Sequence, residues 1–85
     1  MGELSKLVNI GKVLEEQLGQ VGIETPEELC DIGSRAAWLR IQQIDPSACY
    51  NRLCALEGAI QNIRWHDLPA EEKAQLKAFY LAHKL

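Results

Sequence analysis

The sequence predicts an all-α fold, one small domain of five short helices. Three observations carry this. No stretch between turn signals shows the clean alternation of apolar and polar residues that a half-buried strand requires. Apolar residues instead recur at three- and four-residue spacing in several separate stretches. Glycine and proline fall where helices stop and start, leaving only brief connections. At 85 residues the chain has material for one core and not two.

The first helix begins near Ile10 or Gly11, with Ile10, Val13, Leu14, Gln17, Leu18 and Val21 on one face. Gly22 stops it, and Ile23 supplies the apolar contact that follows such a stop. Thr25-Pro26-Glu27-Glu28 starts the second: Thr25 caps, Pro26 takes the first helical position and Glu28 completes a capping box. It is short and ends at Ile32-Gly33. Ser34 caps the third, which runs to about Gln43 with Ala37, Trp38, Ile41 and Ile44 as its apolar face. Asp45-Pro46 repeats the cap-then-proline signal and opens the fourth, whose stripe is Cys49, Leu53, Leu56, Ile60 and Ile63. Gly58 inside that stripe costs about 1 kcal/mol relative to alanine, which a close helix crossing there would explain. Trp65-His66-Asp67 is a connection, Trp65 plugging the core. Pro69 opens the fifth helix, with Leu76, Phe79, Tyr80 and His83 as its inner stripe. The fourth helix is the longest, so it is the expected scaffold and the others its cover.

Composition narrows the function. Hydrophobic residues are 47% and charged residues 25%, a balance that excludes disorder. No apolar run approaches the roughly 20 residues of a membrane span, and the N-terminus lacks a secretory apolar stretch, so the cytoplasm is the expected location. Three cysteines do not make a disulfide framework and read as small apolar side chains in a reducing compartment. The net charge of −3 opposes a purely electrostatic nucleic-acid binder. The acidic excess lies in the first half, mostly in Glu15, Glu16, Glu24, Glu27, Glu28 and Asp31.

A short internal repeat gives the candidate site. Leu7-x-x-Ile10-Gly11 matches Leu29-x-x-Ile32-Gly33, each an apolar residue, a polar turn and Ile-Gly opening a helix. The first amides of a helix have no intrahelical partner and form the positive end of its dipole, so a phosphate is a natural acceptor for them. Helix-hairpin-helix elements hold a nucleic-acid backbone in this way without reading sequence. Ile10, Gly11 and Lys12 in the first unit, and Gly33, Ser34 and Arg35 in the second, are the candidate phosphate-contacting turns. The alternative is that both are tight packed turns that bind nothing, their isoleucines serving as anchors. Asn9 stands where the first glycine of a helix-hairpin-helix turn would be, and several carboxylates lie near any bound anion.

No catalytic, cofactor or metal site emerges. Cys49 and Cys54 fall on different sides of a helix, and His66 and His83 are the only histidines. His66-Asp67 has no paired nucleophile and is expected to order the turn before Pro69. HExxH, GxSxG and GxxxxGK[ST] are all missing. Trp38 and Trp65 read as core, and Arg35, Arg40, Arg52 and Arg64 as solvated surface.

The runs LVNIGKVLEEQLGQVGIETPEEL, IGSRAAWLRI and DPSACYNRLCALEGAIQNIRWHDLPAEEKAQLKAFY resemble the C-terminal domain of the TfoX/Sxy family. The likeness runs from Leu7 to Tyr80. It implies a helical fold of the SAM-like or helix-hairpin-helix kind and a role among regulators of competence-specific genes, without catalytic residues. Two-domain members carry an additional N-terminal domain that this sequence does not contain, which makes it a stand-alone version or an excised domain. The expectation is a non-enzymatic regulatory or adaptor domain that acts through a protein partner in transcription control, with weak, sequence-independent DNA contact as the rival reading and no role for a membrane or cofactor.

Overall fold

Where each helix stops is decided by local backbone chemistry, and these stops set the architecture. In a computed structural model, which describes residues 4–84, the elements are a 3₁₀ turn (Leu4–Lys6), α1 (Lys12–Gln20), α2 (Pro26–Ile32), α3 (Ser34–Ile44), α4 (Tyr50–Gln61), a second 3₁₀ turn (Trp65–Asp67) and α5 (Ala70–His83). The described residues include no strand. Gly22 takes φ +88°, its N–H donates to the Gly19 carbonyl at 3.2 Å, and the Ile23 N–H donates to the Leu18 carbonyl at 2.8 Å. This is the paired closure that a left-handed residue after a helix permits, and Ile23 follows it fully into the core. The same closure ends α4 with Asn62 at φ +61° in the glycine's place: Asn62 donates to Ala59 at 3.2 Å and Ile63 to Gly58 at 2.9 Å. The capping box of α2 is complete. The Glu28 N–H donates to Thr25 Oγ1 at 3.2 Å, and the Thr25 N–H donates to Glu28 Oε1 at 3.1 Å.

Two helix starts differ from expectation. Ser34 does not cap α3; it is the first helical residue, Gly33 at φ +87° turns the chain alone, and the Ser34 hydroxyl donates to Glu57 Oε1 at 2.6 Å. The fourth helix begins at Tyr50, not at Pro46. Asp45 spends its carboxylate on a local turn, accepting from the Ser47 N–H at 3.0 Å, and on residues farther away, so the helix waits for the next opening.

α4 is central as expected, packed against α2, α3, α5 and the second 3₁₀ turn, while α1 covers α3. α4 is not the longest helix, however, because its late start at Tyr50 leaves it 12 residues against 14 in α5. The core joins Leu14, Leu18, Ile23 and Leu29 to Trp38, Ile41, Leu53, Leu56 and Leu76, and Leu4 closes it at the N-terminal end. Trp38 is the largest fully buried side chain. Its ring meets Phe79 and Tyr80 edge-on at centroid distances of 6.1 and 5.7 Å, and its Nε1–H donates to the Cys49 carbonyl at 3.1 Å. Some predicted core residues lie elsewhere. Val13 is 65% exposed, Ile44 46%, and Cys49 and His83 are exposed. Trp65 is only half-buried, packed against the core from its edge, whereas Leu68 is buried within it.

The two Ile-Gly turns are not structurally equivalent. Gly11 has an ordinary extended backbone at φ −92°, whereas Gly33 requires positive φ. Ile10 is buried and Ile32 half-buried. Ile10→Ala is therefore expected to cost about 2–4 kcal/mol and Ile32→Ala no more than about half of that, measured by urea denaturation. Equal losses would show that Ile32 is as much an anchor as Ile10.

Gly58 is a point of close approach, although what approaches is not a helix. A Cβ there would lie 2.5 Å from Asn9 Nδ2, 2.7 Å from the Ile63 carbonyl oxygen and 3.2 Å from Trp65 Cα. Asn9, at φ +72°, threads its amide into this corner. Its Nδ2 donates to the Ile63 carbonyl at 2.9 Å and to the Ala55 carbonyl at 3.4 Å, and its Oδ1 accepts from the Trp65 N–H at 3.2 Å. One side chain thus fastens the N-terminal segment to the end of α4 and the turn beyond it.

Candidate interaction groove

The exposed residues of the first Ile-Gly turn open onto a shallow groove of about 470 Å³. Gly11, Lys12, Val13 and Leu14 form one wall. Cys49, Asn51, Arg52 and Ala55 from the start of α4 form the other, and Trp65 also lines it. Asn9 sets this geometry, because the residue that positions Trp65 is two places from Gly11. No side chain caps α1 at Gly11, and its first intrahelical bond is Glu15 N–H to the Gly11 carbonyl at 3.0 Å. The amides of the first turn are therefore directed outward.

A polar hub fixes the far wall. Asp45 Oδ2 accepts from Gln17 Nε2 at 2.9 Å and pairs with Arg52 at 2.8 Å, and Asp45 Oδ1 accepts from the Ser47 hydroxyl and N–H. Hydrogen bonds from the Ser47 hydroxyl, then Arg52 and Gln17, hold the Asp45 carboxyl far below the usual carboxylate range. Folded protein therefore keeps Asp45 ionised at a pH where the unfolded chain, with a carboxyl near about 4, takes up a proton. Its contribution is fully present above that value and is lost as pH falls below it. Urea midpoints are expected to drop between about pH 5 and pH 3, and to drop less steeply in Asp45→Asn. Parallel acid limbs in the two proteins would exclude Asp45 as a source of the decline.

The second turn has a different character. Glu57, bound by Ser34, also accepts from Gln61 Nε2 at 2.6 Å, so a carboxylate already stands at the start of α3. Arg35 leans over the Phe79 ring at 5.9 Å from its centroid and shares a small cleft of about 80 Å³ with Glu57 and Glu72. The candidate residues thus fall into two groups: Gly11 and Lys12 open to the groove above buried Ile10, and Gly33, Ser34 and Arg35 beside two carboxylates. The arginines do not converge. Arg40 donates to the Val21 carbonyl at 3.3 Å, Arg52 holds Asp45 and Arg35 faces Phe79.

Cys54 is buried, which pushes its thiol up, and Tyr50, whose hydroxyl donates to the Lys73 carbonyl at 3.1 Å, is pushed up to about 12 chiefly by burial. Both stay protonated at neutral pH and act as packing. Cys30 and Cys49 are exposed. Among the described residues no helix is long and apolar enough to cross a membrane.

The sequence signal that marked the first turn did not mark the groove, because its apolar wall uses Val13 and Trp65, both of which helical periodicity and size assign to a core. Residues 1–80 match the family described as TfoX C-terminal domain. Protein Sxy of Escherichia coli (strain K12) is 36% identical over 73 residues, which is 86% of this chain and 35% of Sxy, so the chain spans about a third of that relative. Two crystal structures of proteins from Listeria monocytogenes share the fold at 54% identity. The triclinic form has a TM-score of 0.92 and covers 93% of this chain and 90% of its own, and the tetragonal form has 0.90, 92% and 96%.

Proposed function

The chain belongs to the TfoX C-terminal domain family, and from that premise we propose that it is a non-enzymatic regulatory domain, cytoplasmic, acting through a protein partner in the transcriptional control of competence genes. The single observation that supports a protein partner is the character of the surface at Gly11. It is concave and walled by Val13, Leu14, Ala55 and Trp65, with Lys12 and Arg52 at its rim. Apolar surface left exposed at a recess marks protein contact, whereas a polyanion calls for a cluster of cations. The Sxy relative carries the regulatory reading only by analogy, since this chain covers a third of it.

The test is genetic. In the source bacterium, deleting the gene should lower transcription from promoters of DNA-uptake genes and reduce transformation, and the full chain supplied on a plasmid should restore both. Unchanged promoter activity in the deletion strain overturns the regulatory role.

A second reading is favoured by one feature, the uncapped and exposed start of α1 at Gly11-Lys12. There the chain would touch a DNA backbone, weakly and without sequence preference. Glu57 at the start of α3 makes the second turn a poorer contact than the first. Fluorescence anisotropy with a labelled duplex across a salt series should give dissociation constants no tighter than about 10⁻⁴–10⁻⁶ M, with binding removed by Lys12→Glu combined with Arg35→Glu. Nanomolar, sequence-selective binding would replace the protein-partner reading with direct base recognition.

A further inference from the structure

Among the exposed features of the fold, one has a shape, a chemistry and a charge that agree with one another. Val13, 65% exposed, lies on the first turn of α1 and faces the same recess as half-buried Trp65 and exposed Cys49. An aliphatic side chain that α1 leaves in water beside an indole is unsatisfied apolar surface, and the recess volume of about 470 Å³ suits one or two large side chains. Polar groups at the rim are unequal. Arg52 is committed to Asp45, whereas Lys12 makes no ion pair among the described residues. Asp45 offers no free negative charge, since Gln17, Ser47 and Arg52 already occupy its oxygens. Glu16 lies one turn farther along α1 and does not line the recess. Among the residues that line the recess, Lys12 is therefore the one charged side chain not held in an ion pair, next to the amides of its own first turn, while Glu15 and Glu16 follow it on α1 outside the lining.

We propose that this groove docks a short peptide segment of a partner protein, seating one large apolar or aromatic side chain between Val13 and Trp65 and setting an adjacent carboxylate beside Lys12. The inference deepens the protein-partner reading above and rests on it for its biological setting. Charge complementarity selects this occupant. A neutral apolar segment would leave Lys12 half-desolvated and unpaired, and a nucleic acid would meet one free cation and an apolar floor. A carboxylate two or three positions from an aromatic side chain satisfies both parts of the surface together.

The experiment uses the full chain. A phage-displayed library of random twelve-residue peptides is panned on it, and an enriched sequence is then synthesised with a fluorescent label. Enrichment is expected for an aromatic or large aliphatic residue within a few positions of Asp or Glu. Binding, read by anisotropy, should fall about tenfold or more in Val13→Asp and in Lys12→Glu. It should be unchanged in Leu81→Asp, another exposed apolar position, on α5, that does not line the groove. Val13 and Lys12 are both exposed, so these variants should keep the parent's circular dichroism and melting temperature. Trp65 should report binding by a shift in its emission in a Trp38→Phe background. No enrichment, or peptides that bind both variants as tightly as the parent, overturns the proposal. So does a duplex DNA probe that binds through Lys12 where no peptide does. Failure of the regulatory reading is seen separately: if deleting the gene leaves promoters unaffected, that reading falls while peptide binding still establishes the groove. If Val13→Asp restores regulation as fully as the parent chain, the groove falls and the regulatory reading stands.

Discussion

Trp38→Ala is expected to remove about 3–5 kcal/mol, the range for deleting a fully buried aromatic side chain. A domain of 85 residues holds on the order of 4–13 kcal/mol in total, so the variant will sit near or below the threshold of folding. Trp38 has no exposed surface, it packs edge-on against two rings of α5, and it ties α3 to the carbonyl just before α4. Trp38→Phe separates these roles. It keeps most of the apolar volume and loses the hydrogen bond to Cys49, so about half the loss or less is expected. Urea denaturation followed by circular dichroism decides the matter. A Trp38→Ala midpoint equal to that of the parent would mean that α3 and α5 are not held together through this ring.

Gly58→Ala is expected to destabilise by about 2–4 kcal/mol, against the trend for a glycine inside a helix. Helix propensity alone would make alanine better by about 1 kcal/mol. The methyl group, however, would lie 2.5 Å from the Asn9 amide and 2.7 Å from the Ile63 carbonyl oxygen. Asn9 can withdraw only by breaking its bonds to Ala55, Ile63 and Trp65, and the Ile63 carbonyl is backbone. Asn9→Gly removes one clash and retains the positive φ, so Gly58→Ala should cost about 1–2 kcal/mol less in that background. Additive losses in the double variant would place the strain elsewhere. A stabilised Gly58→Ala would mean that the N-terminal segment does not pack here at all.

Helix ends set by adjacent residues and contacts set by distant ones differ in how far the sequence reveals them. Chemistry confined to a few neighbouring residues was legible. Thr25, Pro26 and Glu28 define the start of α2, and Gly22 and Gly33 end helices as their backbone freedom suggests. Signals that depend on distant partners were not. Asp45-Pro46 has the form of a helix start, yet Asp45 is engaged by Gln17 and Arg52, and α4 begins four residues later at Tyr50. Ser34 has the form of a cap, yet Glu57 takes its hydroxyl. Gly58 announced a close approach without saying that Asn9, far away in sequence, would make it. For the candidate site, Gly11 and Lys12 were found because a turn before a helix is a local pattern. Val13 and Trp65 were assigned inward because periodicity fixes a face and not how much of that face the other helices reach.

The Asn9 corner also orders events in time. Its bonds join residues separated by 46 to 56 positions, so they form only once α4 and the turn after it exist as a platform. The α2–α3–α4 contacts close over much shorter stretches of chain and come at a lower entropic cost. The segment from Leu4 to Ile10 is therefore expected to dock last during folding and to lift off first during native-state fluctuation. Its release frees the Trp65 amide, whose hydrogen exchange would run at the rate of this partial opening and ahead of the amides inside α4.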